Sequence, residues 1–80
     1  MSDRTQIISS PFHSREDARL DERMLQGFLD GVWLVSGLPP TTETLTYEGY
    51  VLPVWAKGVR VESSPNGAQH TLVATEHRGH

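Results

Sequence analysis

Between residues 14 and 30 the apolar positions recur at spacings of three and four, through Leu20, Met24, Leu25, Phe28 and Leu29. That period lines them along one face of an α-helix. Ser14 and Asp17 have the spacing of an N-cap whose hydroxyl accepts the Asp17 amide, and Glu16 and Asp17 sit where the helix dipole favours negative charge. Arg15, Arg19 and Arg23 form a row along the helix, interleaved with Asp17 and Asp21, as a water-facing side would be. Asp30-Gly31 is the expected stop.

Past that point the pattern changes to short β-branched and aromatic runs. Val32-Trp33-Leu34-Val35 reads as a strand, and Leu38-Pro39-Pro40-Thr41-Thr42 as a loop whose prolines forbid regular pairing. Leu45 to Trp55 is rich in Thr, Tyr and Val and reads as one strand, with a bulge at Gly49 and an edge position at Pro53. A helix over residues 40–52 remains an alternative there. Val59–Glu62 and His70–Thr75 flank Ser63-Ser64-Pro65-Asn66-Gly67, where Pro65 suits the first corner of a type I turn and Gly67 the left-handed residue after it, so a hairpin is expected. The whole predicts an α+β fold: one N-terminal helix packed on a small three- to four-stranded antiparallel sheet or partly open barrel, with a C-terminal β-hairpin. Residues 1–13 are expected to form an extended arm, 14–76 a single domain and 77–80 a flexible tail.

Composition narrows the possibilities. Eighty residues with 36% hydrophobic content make one small core, of a size that alone supplies only about 3–5 kcal/mol. There is no cysteine, so disulfides and cysteine-ligated metal sites are excluded, which leaves a partner or self-association into a homo-oligomer as the extra source of stability. The start of the chain lacks the basic and apolar pattern of a signal peptide, and no run approaches the ~20 apolar residues of a membrane span. A cytoplasmic location without membrane attachment is the expectation.

Candidate chemistry is sparse. The serines fall in predicted caps and turns, no Gly-x-Ser-x-Gly elbow is present, and none of the seven glycines forms a phosphate-binding loop. No catalytic residue, cofactor or metal is expected, and the protein reads as a non-enzyme. His70, His77 and His80 with Glu76 are the only grouping with metal-ligand character, and a chain end is poorly suited to holding ligands in place. Protonation of all four histidines would reverse the sign of the net charge of −3, a route to pH-sensitive binding.

Val35-Ser36-Gly37-Leu38-Pro39-Pro40-Thr41-Thr42 resembles the helix, Gly-Leu-Pro, Thr turn of winged helix-turn-helix regulators. The resemblance implies a recognition helix from Thr41 to Leu52 and a wing over Val59–Thr75. A helix leading into short strands is also similar to the Sm-like barrels of RNA-binding proteins, with Trp33–Gly37 as first strand and turn. Both imply nucleic-acid binding, which needs cations to neutralise phosphate. From Met24 through Ala56 there is no Lys or Arg, while Asp30, Glu43 and Glu48 are negative, so nucleic acid is disfavoured as a partner.

That basic-free stretch instead holds five of the six aromatics: Phe28, Trp33, Tyr47, Tyr50 and Trp55. On one regular strand Tyr47 and Tyr50 point to opposite faces, so one of them is expected to be exposed unless Gly49 forms a bulge. The resulting expectation is a small acidic protein-binding module, an inhibitor or adaptor of a larger protein or complex, of the kind phages direct at host nucleases and defence complexes. Glu43, Tyr47, Glu48, Tyr50 and Trp55 are its candidate contact residues, the glutamates facing a basic groove and an aromatic filling the buried contact. A winged-helix-like transcriptional regulator is the alternative.

Overall fold

A computed structural model describes residues 4–36 and 44–78, with the side chains of Val35 and Ser36 excepted. Its elements are β1 (Thr5–Ile7), α1 (Arg15–Ser36), β2 (Thr44–Tyr47), β3 (Tyr50–Pro53), β4 (Gly58–Ser63) and β5 (His70–Thr75). The class is α+β. The strands form a three-stranded antiparallel sheet ordered β1-β5-β4 and a separate two-stranded sheet, β2-β3.

The helix begins as expected, with the Asp17 N–H donating to Ser14 Oγ at 3.3 Å. It does not stop at Asp30-Gly31. Val32, Trp33 and Leu34 continue it to Ser36, so the strand expected there is absent. A glycine inside a helix costs about 1 kcal/mol, and tertiary contacts outweigh that here. Val32 packs on the core, and the Trp33 indole N–H donates to the Ala56 carbonyl at 2.8 Å. Leu25 and Leu29 are fully buried, while Leu20, expected on the same face, stands five and nine residues before them, about half a turn around the helix, and lies on the outer side at 61% exposure.

The second correction concerns residues 45–55. Glu48 and Gly49 have φ of 50° and 82°, the paired positive values of a type I′ turn. The expected single bulged strand is thus a tight hairpin, β2-β3, with Tyr47 directly opposite Tyr50. Residues facing each other across strands share a sheet face. Both tyrosines therefore turn toward the helix and are half-buried, whereas the single-strand reading would have exposed one. The same hairpin occupies most of the segment that the winged-helix resemblance assigns to a recognition helix. The proline loop and Thr41–Glu43 lie outside the described residues.

The β4-β5 hairpin matches its expectation. Gly67 N–H donates to the Ser64 carbonyl at 2.9 Å, closing the corner around Pro65, and Gly67 takes a φ of 72°. β5 is the central strand and carries Leu72 and Ala74 into the core against Leu25, Leu29, Leu45, Leu52, Ala56 and Val59. The N-terminal segment is the third strand of that sheet, with Ile7 opposite Val73, and Phe12 forms a further bridge to His70.

After β5 the chain passes close over Gly58. A Cβ on Gly58 would stand 2.7 Å from both the His77 carbonyl oxygen and Thr75 Oγ1, so only glycine fits. That passage delivers Arg78 to Asp30, with Nε and Nη2 donating at 2.8 and 3.0 Å. No helix among the described residues is long and apolar enough to cross a membrane.

Candidate binding surface

Three polar side chains clamp the helix to its neighbours. Gln26 does the most. Its amide N–H groups donate to the Lys57 carbonyl at 3.0 Å and to Asp30 at 2.9 Å, and its Oε1 accepts the Val59 N–H at 3.1 Å. The outer edge of β4 is thereby met by a side chain. Trp33 is the second clamp. Tyr50 is the third, its hydroxyl donating to Asp21 Oδ2 at 2.5 Å. Desolvation, and then the Asp21 hydrogen bond and charge, push the Tyr50 phenol up to about 12. Beside it the Tyr47 ring stacks on Phe28, with centroids 4.4 Å apart and planes 12° from parallel.

The candidate contact residues consequently divide. Tyr47 and Tyr50 hold the β2-β3 hairpin on the helix by their rings. Glu48 is exposed at the hairpin tip between them. Trp55 is half-buried beyond β3, beneath the Arg4 guanidinium at 4.9 Å from its ring, and Arg4 also pairs with Glu76 at 2.7 Å. Glu43 lies outside the described residues. Sequence reasoning missed Val51, which faces outward at 52% exposure opposite the exposed Thr46. Alternation along β2 and β3 reveals it once Glu48-Gly49 is read as a turn.

Other surface features carry little chemistry. Ser63 Oγ and His70 Nδ1 are 2.7 Å apart, but they are a directly opposed cross-strand pair, and no carboxylate orients the imidazole among the described residues. A catalytic serine needs a base held by a third group. Among those residues no three His, Asp or Glu side chains are placed to hold a metal ion, and His80 lies outside them. A hollow of about 580 Å³ lies between His13 and the Ser64–Gln69 loop. A second, of about 390 Å³, has Trp33 and Leu34 as apolar walls and Asp30, Lys57 and Arg78 around them, the Lys57 ammonium standing 4.7 Å from the Trp33 ring. Arg15, Arg19 and Arg60 line a further hollow together with Glu22, and Arg60 is itself paired with Glu62 at 2.6 Å.

Together these features define, among the described residues, an α+β protein in which α1 bridges a three-stranded sheet and a separate two-stranded hairpin. No protein-family model matches the chain, and no curated protein or solved structure is significantly similar to it.

Proposed function

We propose that the protein is a small non-enzymatic binding module, an inhibitor or adaptor that acts by covering a surface of a larger protein, with the β2-β3 hairpin as its contact element. The observation that carries this reading is the hairpin's isolation. It is a two-stranded sheet with no described strand on either outer edge, held to the helix by one face and presenting Thr46, Val51 and Glu48 on its free side. An open strand edge is a template for pairing with another chain, and an exposed β-branched residue beside it supplies apolar contact. Glu48 adds the negative charge expected to meet a basic groove. The tyrosines contribute by rigidity: with Tyr47 stacked and Tyr50 hydrogen-bonded, the hairpin loses little freedom on binding.

Affinity purification from the native cell tests this, with Val51→Asp and Glu48→Lys beside the wild type. Both positions are exposed, so both variants should keep the wild-type circular dichroism spectrum. Retention of one partner by the wild type and its loss by at least about tenfold in the variants, the size of a rim or hot-spot contact, is the expected result. Equal retention by all three proteins would rule out the hairpin.

A further inference from the structure

Asn66 is the chain's only asparagine, and a glycine follows it. The backbone nitrogen after an asparagine can close a five-membered ring on the carboxamide carbon, and at Gly67 no Cβ stands in its way. Both residues are exposed, in the loop between β4 and β5.

The folded corner holds the reacting groups apart. Gly67 N–H donates to the Ser64 carbonyl at 2.9 Å. Glu48 is the one described residue other than glycine with a positive φ, so φ at Asn66 is negative and Ser64–Gly67 is a type I turn. The third residue of such a turn has ψ of about 0°, which points the Gly67 nitrogen away from the Asn66 side chain. The carboxamide is tied down as well. Its Oδ1 accepts the Ser64 hydroxyl at 2.7 Å and the Ala68 N–H at 3.0 Å. Ring closure must rotate ψ and swing the side chain, which breaks all three bonds. Residues 65–69 are all exposed, so that opening is local and leaves the core intact.

We propose that Asn66 is a self-modification site, converted to aspartate and isoaspartate through a succinimide with the Gly67 nitrogen, at a rate set by opening of the β4-β5 turn. In the opened turn the Gly67 nitrogen gives its proton to solvent and attacks Asn66 Cγ. The N–Cγ bond forms, the Cγ–Nδ2 bond breaks, and the side-chain nitrogen takes up a proton and leaves as ammonia. Water then opens the ring at either carbonyl, giving aspartate, or isoaspartate with the chain running through the side-chain carbons. Either product adds one negative charge to a chain of net charge −3, on the wall of the hollow that Asn66 shares with His13. A carboxylate at this position accepts the same two hydrogen bonds more strongly, whereas the extra backbone methylene of isoaspartate unseats Gly67 N–H from Ser64. The reaction needs no partner and stands whether or not the β2-β3 hairpin binds one.

Mass spectrometry of the full chain, incubated folded in buffer and unfolded in guanidinium chloride at one temperature and pH, is the test. A gain of one mass unit should appear in both states and map to Asn66 on fragmentation. The unfolded chain should convert at least about tenfold faster, since no turn bonds of ordinary strength have to break first. Ser64→Ala removes the hydroxyl that ties Asn66 and also receives the Gln69 N–H at 3.1 Å, while keeping the backbone carbonyl. It should convert about threefold or more faster than wild type when folded and at the wild-type rate when unfolded. Chromatography should resolve both aspartate and isoaspartate products, because direct hydrolysis of the carboxamide yields aspartate alone. A folded chain that never converts overturns the inference. So do equal rates in the folded and unfolded states, a folded Ser64→Ala protein no faster than wild type, or aspartate without isoaspartate.

Discussion

Gln26 shows how much one side chain can hold. It satisfies the Val59 N–H and the Lys57 carbonyl at the β4 edge, groups that no strand pairs on that side. Replacing it with leucine preserves the bulk and helix propensity but leaves both backbone groups without that partner. A loss of about 1 kcal/mol in urea denaturation is expected, since the Lys57 carbonyl is open to water and the Val59 N–H only half-buried. Gly58 is a different kind of constraint, since the close passage of His77 leaves no space for a Cβ. Gly58→Ala should cost about 1–3 kcal/mol by overpacking and release Arg78 from Asp30. Neither role was legible in the sequence. A glutamine on a polar helix face looks solvated, and a glycine before a strand looks like a turn, until the chain is folded onto them.

Tyr50 gives the residue scale a pH signature. Its phenol is raised from 10.0 to about 12, so the folded state favours the neutral form. The stability it contributes is complete below pH 10 and is lost as pH rises toward 12. Tyr50→Phe should flatten that part of the alkaline stability profile, followed by the denaturation midpoint at each pH. Asp30 and Glu76 behave oppositely. Hydrogen bonds from Arg78 and Arg4 respectively hold their carboxyls below the ordinary values of 3.8 and 4.5. Their contribution is present above those values and is lost as pH falls through the lowered ones.

At the scale of elements, signals carried by neighbouring residues were readable and those set by distant contacts were not. The Ser14 cap, the apolar period of Leu25 and Leu29 and the Pro65–Gly67 corner each have local causes, and each appears in the fold. The last turns of α1 do not have one. Gly31 argues for a stop, and the helix continues because Trp33 finds the Ala56 carbonyl more than twenty residues away. The β2-β3 turn was hidden by Glu48, an unusual residue for a positive φ, where Asn or Asp would have announced a type I′ turn. That rarity makes the turn improvable. Glu48→Asn should stabilise the protein by about 0.5–1 kcal/mol, and Gly49→Ala should destabilise it by about 1–2 kcal/mol, both read from thermal melts.

For the molecule as a whole, the α+β class was legible and the division into two sheets was not, because that division depends on a turn the sequence disguises. The same disguise affected the candidate site. Read as one strand, residues 45–55 offered a tyrosine to solvent; folded as a hairpin, they turn both tyrosines inward and offer Thr46, Val51 and Glu48 instead. The proposed contact element is unchanged in location and different in the side chains it presents. Tyr50→Ala is accordingly a poor test of binding, since it removes the hydroxyl that ties the hairpin to Asp21.

The most direct test of binding through the hairpin is photo-crosslinking in the native cell, with a photoreactive residue placed singly at position 46, 51 or 66. The first two positions lie on the free side of β2-β3, and the third lies on the far loop. Adducts to one common protein from positions 46 and 51, and none to that protein from position 66, are the predicted result. Adducts to it from position 66 alone, or no protein adduct from any of the three, would contradict the account.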